Sequence, residues 1–179
     1  MPELPEVEVV KKSLSKTISD LTIKNIEIRN KYLRYKINEK LLKKMVKSKV
    51  LSISRRSKYI FIKLNNNNTI MIHLGMTGKI IIVDANKNKY KTSFHYKLND
   101  NNSRHDHLIL KFDKKITLIY NDVRKFGFIK ILKTAKVQSS SHIIHLGPEP
   151  LSKNFCFKYF KEKIKRRKIY LKDLLMNQK

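Results

Sequence analysis

The hydrophobic residues near the start of the chain recur with the spacing of a helix. Val7, Val10, Leu14 and Ile18 lie three or four residues apart, which places them on one face of a helix over residues 5–18. After this helix the pattern changes to short runs that are rich in β-branched and aromatic residues and are separated by turn residues. These runs predict strands at residues 22–29, 50–54, 59–64, 69–74, 79–83, 107–112, 116–120 and 128–132. Antiparallel strands in this number predict a β-sandwich.

Turns and two interruptions complete the pattern of this region. Residues 39–46 have the spacing of a short helix, and residues 87–104 form a long polar segment with weak strand character at 92–98. Turn residues predict hairpin tips at residues 65–68 and 113–115, and a tight turn bracketed by Gly75 and Gly78.

The character of the chain changes again after residue 139. The prolines of Leu-Gly-Pro-Glu-Pro-Leu at residues 146–151 exclude a helix there. Helical spacing returns at residues 152–165, and a second helix is predicted from residue 169 to residue 176. The whole pattern predicts an α+β fold with two domains, an N-terminal helix and β-sandwich over residues 2–135 and a helical domain over residues 136–179.

Composition adds a strong charge to this picture. The 41 Lys and Arg residues against 14 Asp and Glu give a formal net charge of +27, and 41% hydrophobic residues suffice for a folded core. A charge so one-sided indicates a polyanionic partner. Nucleic acid is favoured over an anionic membrane surface, because no lipidation motif or basic amphipathic helix dominates. No apolar run approaches the roughly 18 residues that a membrane span needs.

The N-terminal residues and the cysteine count indicate the cellular compartment. Acidic residues and prolines in Met-Pro-Glu-Leu-Pro-Glu at residues 1–6 are atypical of a secretory signal. The single cysteine, Cys156, excludes an internal disulfide and a Cys-x-x-Cys zinc site within this sequence. Low cysteine usage is typical of proteins of the reducing cytosol. We therefore expect a cytoplasmic protein with no metal site in this chain.

The first residues also offer a candidate nucleophile. If Met1 is removed, Pro2 presents a secondary amine that can attack a sugar carbon and form an iminium, and an N-terminal amine is less basic than a lysine. Glu3 and Glu6 lie beside it and can divide acid and base roles. The alternative is a helix start at which the proline and the acids only favour the helix macrodipole.

A series of short motifs runs along the whole chain. They are Met-Pro-Glu-Leu-Pro-Glu-Val-Glu at residues 1–8, Arg-Arg-Ser-Lys-Tyr at 55–59, His-Leu-Gly-Met-Thr-Gly at 73–78, His-Asp-His at 105–107, Asp-Val-Arg-Lys-Phe-Gly at 122–127, His-Leu-Gly-Pro-Glu-Pro-Leu at 145–151 and Leu-Lys-Asp-Leu-Leu-Met-Asn-Gln at 171–178. In this order they resemble the motifs of the formamidopyrimidine-DNA glycosylases, bacterial enzymes that excise oxidised purines such as 8-oxoguanine. The last motif resembles the start of that family's helix-two-turn-helix module, so the resemblance implies an incomplete form of this module in the helical domain.

The resemblance implies roles for the candidate catalytic residues. Pro2 would be the nucleophile at the anomeric carbon of the damaged nucleoside, and Glu3 would be the acid that protonates the opening sugar. Lys58 would be a general acid in strand cleavage that also holds phosphate, and Glu6 would line the lesion pocket. For Lys58 the alternative is a basic strand edge without a catalytic role.

The resemblance also implies contacts with DNA. Met76, Arg124 and Phe126 resemble the family residues that fill the space left when the target nucleotide is extruded, and their places in turns indicate exposure. His105, Arg124 and Arg167 resemble family contacts to DNA phosphates. The alternatives are core packing for Met76 and Phe126, and a solvated basic helix face for Arg167.

The histidines do not suggest a metal centre. His105 and His107 alternate at strand spacing, so we expect them to face opposite ways. His73 precedes the turn at Gly75, and we expect it to structure that turn.

The family resemblance implies further parts that this sequence does not contain. The family continues with the rest of the helix-two-turn-helix module and a four-cysteine zinc finger, whereas this sequence has one cysteine. We therefore expect a C-terminally truncated form without the family's zinc. A truncated gene product, a frameshifted reading frame or an incomplete assembly would each give this chain.

Three functions fit these observations. The first is a base excision repair glycosylase with β,δ-elimination lyase activity, acting as a monomer on damaged double-stranded DNA. The second is a catalytically impaired, non-enzymatic basic DNA-binding fragment of the same family. The third is a basic protein of the ribosomal type, which would prefer RNA and gives no reason for the catalytic motifs. The order of the motifs favours the first.

Overall fold

The computed structural model describes residues 2–98, 102–165, 168 and 170–176. The chain forms two compact units, Met1–Val137 and Gln138–Lys179. The first unit holds every strand that the described residues form, and the second holds two short helices. Among the described residues, none of the helices has the length and apolar character that crossing a lipid bilayer requires.

Helix α1, Leu4–Ile18, opens the first unit and confirms the predicted helix. Its buried face consists of Val7, Val10, Leu14 and Ile18. Glu3 is the N-cap residue, and its backbone N–H donates to Glu6 Oε2 at 2.9 Å. This bond satisfies a backbone group that the helix itself leaves unpaired. The helix start therefore fixes Glu3 and Glu6 relative to each other.

Two antiparallel sheets follow. The described strands are β1 (Ile23–Ile28), β2 (Val50–Arg56), β3 (Tyr59–Leu64), β4 (Asn68–His73), β5 (Lys79–Val83), β6 (Lys89–Lys91), β7 (Asp106–Phe112), β8 (Thr117–Asn121) and β9 (Phe128–Lys133). The five-stranded sheet has the order β1-β7-β8-β5-β6 and the four-stranded sheet the order β2-β3-β4-β9. The predicted α+β fold, with an N-terminal helix and antiparallel sheets, is confirmed.

One hydrophobic core lies between these elements. Buried side chains of both sheets and of α1 belong to a single cluster, with Leu14, Ile60, Ile72, Leu110 and Leu118 among its fully buried members. The central strands β3 and β4 are buried at most positions, so their side chains pack on both faces of the four-stranded sheet. This packing holds the turns at the strand ends, which carry the polar motifs, on a rigid base.

The segment after β5 differs from the prediction. The sequence predicts weak strand character at residues 92–98, but the strand is β6, at Lys89–Lys91, and residues 92–98 have no regular secondary structure. All three residues of β6 are exposed, so this edge strand has no apolar alternation to reveal it. Thr92 and Ser93 leave the strand because their buried side chains bond elsewhere, as described below.

Three predicted helices are shorter than expected. Helix α2 covers Glu39–Lys43, with Asn38 Oδ1 as cap for the Leu41 N–H, and a turn replaces its predicted last residues. In the second unit, α3 covers Phe157–Ile164 and α4 covers Leu171–Met176. Helix α3 does not start at residue 152, because the Ser152 hydroxyl and N–H bond back to the Glu149 carbonyl in a turn.

The second unit exposes large apolar side chains. Phe157 is 76% exposed and Leu171 is 58% exposed, while Leu174 is half-buried. The side chain of Leu175 lies outside the described residues.

Candidate active site

The candidate catalytic residues meet at the start of α1. Pro2 is buried, and Glu3 follows it as the N-cap residue. Lys58 Nζ lies 2.5 Å from Glu3 Oε2, with side-chain exposures of 16% for Lys58 and 37% for Glu3. Lys58 stands in the tight turn between β2 and β3, where Ser57 adopts a left-handed backbone conformation with φ of 50°. The fold thus brings Pro2, Glu3, Glu6 and Lys58 to one place.

An ion-pair cluster fastens this turn to α1. Arg55 Nε lies 2.8 Å from Glu8 Oε2, and Arg55 Nη1 donates to the Ser57 carbonyl at 2.9 Å. Lys11 Nζ lies 2.9 Å from the other oxygen of Glu8. Because Arg55 bonds both the helix and the turn, it holds Lys58 next to Glu3. Sequence reasoning identified the basic run at residues 55–58 but not this function of Arg55.

The Glu8 carboxylate makes this cluster sensitive to acid. Burial raises the pKa of Glu8, but the hydrogen bonds and charges of Arg55 and Lys11 outweigh burial and bring the pKa below 4.5. A carboxyl whose pKa is lowered by folding stabilises the fold above its unfolded-state pKa. That stability is lost as the pH falls through the folded-state pKa.

We expect Glu8→Gln to lower the free energy of unfolding at pH 7 by about 1 kcal/mol and to flatten its decline in acid. Thermal unfolding at pH 7 and at pH 4 measures both effects. Glu39→Gln is the matched control, because Glu39 lies 3.4 Å from Lys31 in a half-exposed ion pair at the surface. An equal pH profile for Glu8→Gln and the parent chain would contradict the assignment.

A second cluster is formed by two neighbouring loops. Met76 is 39% exposed, Phe126 is 44% exposed, and the Arg124 guanidinium lies 4.6 Å from the centre of the Phe126 ring. Gly75 has φ of 64°, and a Cβ there would lie 2.4 Å from Gly127 N and 2.5 Å from the Phe126 carbonyl carbon. The two loops therefore touch through their backbones, and the exposure expected of Met76 and Phe126 is confirmed. We call residues 75–78 and 122–127 the paired loops.

A buried carboxylate joins the paired loops. Asp122 is fully buried, and it accepts hydrogen bonds from the Thr77 hydroxyl at 2.5 Å, the Gly127 N–H at 2.8 Å and the Tyr120 hydroxyl at 3.3 Å. Thr77 Oγ1 in turn accepts from the Arg124 N–H at 3.0 Å. Burial, together with the nearby Asp122 charge, raises the pKa of Tyr120 well above 10. Sequence reasoning quoted Asp122 within its motif but assigned it no function.

The histidines support these loops. His107 is buried and its Nε2 lies 2.7 Å from the Asp122 carbonyl oxygen, while the half-buried His105 accepts the Asp122 N–H through its carbonyl at 3.0 Å. The strand spacing expected for His105 was wrong, because Ser103–His105 form a 3-10 turn before β7. His73 Nδ1 accepts the Gly75 N–H at 3.1 Å, which confirms that His73 structures its turn.

An aromatic cluster lies between Lys58 and the paired loops. The rings of Tyr59 and His73 are centred 5.0 Å apart, and the His73 ring stacks on Phe128 at 5.4 Å. Tyr35 meets the edge of Phe128 at 5.0 Å. Burial raises the pKa of Tyr59. Because Tyr59 follows Lys58 and Phe128 follows Gly127, this cluster fixes the distance between the two parts of the site. Sequence reasoning missed it, since its members looked like ordinary strand residues.

Within the part of the chain that the structure describes, no group of three or more His, Cys, Asp or Glu side chains is placed to hold a metal ion. The zinc finger implied by the family resemblance needs four cysteines, and the only cysteine here is the exposed Cys156, so the residues present do not fit that site. Arg167, predicted to contact phosphate, lies outside the described residues.

Comparison with known proteins decides the family. The family model of the formamidopyrimidine-DNA glycosylase N-terminal domain matches residues 1–129, a range that contains the three clusters described above. The chain belongs to this family. The resemblance drawn from the motifs is confirmed.

Relatives within the formamidopyrimidine-DNA glycosylase family align along the whole chain. The formamidopyrimidine-DNA glycosylases of Rickettsia africae and Rickettsia canadensis are 36% and 37% identical to it over 179 residues. A crystal structure of the Lactococcus lactis enzyme with DNA containing an abasic site superposes with a TM-score of 0.81 at 32% identity, over 99% of this chain and 61% of that one. The chain spans about 60% of the length of the curated relatives it matches.

Proposed function

We propose that this chain carries the catalytic part of a base excision repair glycosylase that removes oxidised purines, such as 8-oxoguanine and formamidopyrimidines, from double-stranded DNA. The same part would then cleave the strand at the resulting abasic site. The observation that carries this proposal is the 2.5 Å contact between Lys58 Nζ and Glu3 Oε2, directly beside Pro2 at the start of α1. A nucleophile, an acid and a cation next to one another are what this chemistry needs.

In the first step, the Pro2 nitrogen replaces the damaged base at C1′ of the sugar. After Met1 is removed, the lone pair of the Pro2 nitrogen attacks C1′ of the damaged nucleoside. The bond between C1′ and the base breaks, and the base leaves with that electron pair and takes up the proton that the attacking Pro2 nitrogen loses. Glu3 donates a proton to the ring oxygen as the sugar opens, and the Pro2 nitrogen becomes an iminium on C1′.

Strand cleavage follows from the iminium. The positive nitrogen acidifies the neighbouring C2′, and loss of a C2′ proton expels the 3′ phosphate by β-elimination. A second elimination expels the 5′ phosphate, and water hydrolyses the iminium to free Pro2. Lys58 is placed to hold a phosphate and, through its short contact with Glu3, to exchange a proton with that carboxyl group. None of these steps uses a metal or a cofactor.

The paired loops supply a way to reach the base. Extruding a nucleotide from a duplex costs a few kcal/mol of stacking, and side chains that enter the vacated space recover part of it. Met76, Phe126 and the Arg124 cation are exposed and close together, which suits this task. Glu6, held by the Glu3 N–H, would line the pocket that receives the base.

Charge and the solved relatives support DNA as the partner. The formal charge of +27 favours phosphate backbones, and binding that neutralises phosphates weakens steeply with salt. Two solved structures of the Lactococcus lactis relative are complexes with DNA, one containing an abasic site and the other an N7-benzyl-Fapy-dG lesion. We propose damaged duplex DNA of this class for the present chain, with His105 and Arg124 as candidate phosphate contacts.

Borohydride trapping tests the proposal. With Met1 removed, the chain is expected to form a covalent adduct with an 8-oxoguanine duplex and with an abasic duplex when the iminium is reduced. Mass spectrometry should place the adduct on Pro2, and an uncleaved Met1 should prevent it. Salt-dependent duplex binding without any adduct would instead support the non-enzymatic DNA-binding alternative.

A further inference from the structure

The segment that follows β6 makes hydrogen bonds to both parts of the candidate active site. Residues 92–96, which we call the strap, have no regular secondary structure, yet Thr92 is 2% exposed and Ser93 is 3% exposed. Buried polar side chains outside a sheet need partners of their own. Their partners lie on β5 and at the start of α1.

One end of the strap is fixed to β5. The Thr92 hydroxyl donates to the Ile80 carbonyl at 2.7 Å, and the Tyr96 hydroxyl also donates to this carbonyl. The Thr92 N–H bonds the Tyr96 hydroxyl oxygen at 2.8 Å, which closes the strap into a compact bend. The Lys79 ammonium lies 5.5 Å from the centre of the Tyr96 ring. These contacts make the strap a fixed part of the first unit.

The middle of the strap reaches both parts of the candidate active site. The Ser93 hydroxyl donates to the Glu6 carbonyl at 3.4 Å, in the first turn of α1. His95 Nε2 lies 3.5 Å from the carbonyl oxygen of Gly78, which closes the loop that carries Met76. The strap therefore bonds both the helix start that carries Glu3 and Glu6 and the loop that carries Met76.

The two ring nitrogens of His95 have different surroundings. The Gly78 carbonyl can only accept a hydrogen bond, so Nε2 is the donor in that contact. The other nitrogen, the buried Nδ1, has no hydrogen-bond partner among the described residues. Burial lowers the pKa of His95; the Gly78 carbonyl and the Glu6 charge oppose this, and the charge of Lys79 adds to it. Nδ1 is therefore the His95 atom that a ligand could bond.

We propose that the strap is a wall of the pocket that receives the extruded base, and that Ser93 and His95 are positioning residues that determine which damaged bases fit beside Glu6. This inference rests on the proposed function. The ligand class is an oxidised purine, whose N–H groups can be met by the Glu6 carboxylate and by Nδ1 of His95. A sugar without a base has nothing to place against this wall.

Base-containing and base-free substrates separate the role of the strap from that of the catalytic residues. We expect Ser93→Ala and His95→Ala to lower the rate of 8-oxoguanine release roughly tenfold relative to cleavage of an abasic duplex of the same sequence. His95→Gln should recover most of the loss, because its amide N–H can still donate to the Gly78 carbonyl. Phe94→Leu is the matched control, since Phe94 belongs to the strap but is 61% exposed.

Each outcome decides the proposal. Equal losses on both duplexes, or no loss on either, would show that the strap only supports the fold and would overturn its role in base selection. If the parent chain is not trapped on the abasic duplex, the proposed function fails, and the strap is then tested by binding alone. In that case the ratio of affinities for the 8-oxoguanine and abasic duplexes should fall in Ser93→Ala and His95→Ala, and an unchanged ratio would overturn the inference.

Discussion

Glu3→Gln is expected to reduce base excision at least about a hundredfold, which is the range of a lost general acid. The substitution keeps the size of the side chain and its place at the helix start, but it removes the carboxyl group that, in the proposed mechanism, takes up a proton from Lys58 2.5 Å away and passes it to the sugar. Single-turnover release of 8-oxoguanine from a duplex measures the effect. Borohydride trapping on an abasic duplex, where no base has to leave, should fall less.

Two further variants make this test specific. Lys58→Gln should lower strand cleavage more than base release, because in the proposed mechanism Lys58 holds phosphate, whereas Glu3 acts on the opening sugar. Glu39→Gln should change neither rate, since Glu39 lies in α2 and pairs with Lys31 at the surface. If Glu3→Gln excised the base at the parental rate, Glu3 would be only the cap of α1.

Asp122→Ala is expected to lower the free energy of unfolding by about 3 kcal/mol, equivalent to a Tm lower by about 10 °C. The reason is that three donors, the Thr77 hydroxyl, the Gly127 N–H and the Tyr120 hydroxyl, lose a fully buried acceptor. Groups left unpaired in the interior are destabilising by their full desolvation cost. Calorimetry of the parent and variant chains measures the change.

The control for Asp122→Ala is a substitution of a carboxylate that accepts a similar number of hydrogen bonds but lies closer to solvent. Asp84 accepts hydrogen bonds from Asn86, Asn88 and Tyr90 in a surface turn, so Asp84→Ala should have a much smaller effect. Below its Tm, Asp122→Ala should also bind a lesion duplex more weakly than the parent chain, because the paired loops lose their link. Similar Tm values for Asp122→Ala and Asp84→Ala would contradict the assigned function of Asp122.

The helices and strands that the sequence predicts well are those whose apolar residues form a recognisable stripe or run. The apolar stripe of α1 and the β-rich runs of the strands other than β6 appear in the pattern because each one buries apolar side chains. Strand β6 has no buried residue, and its position was missed. Helix α3 began later than its spacing indicated, because the Ser152 turn takes the preceding residues.

The candidate site also has residues that the sequence predicts and contacts that it does not. Motifs identified Pro2, Glu3 and Lys58, but nothing in their spacing reveals that Lys58 and Glu3 touch. Thr77 and Asp122 bond each other although they lie 45 positions apart in the chain. Glu6 and Ser93 do so across 87 positions. Such contacts between side chains of distant segments have no periodic signature, so only the folded structure shows them.

The backbone contact between Gly75 and Gly127 has a mechanical consequence. Because a Cβ at Gly75 would collide with the Phe126–Gly127 backbone, the two loops can lie this close only while this position is a glycine. Asp122 adds a link between them, since it bonds Thr77 in one loop and Gly127 in the other. If the paired loops enter DNA as proposed, we expect Met76, Arg124 and Phe126 to enter and leave a duplex as one unit.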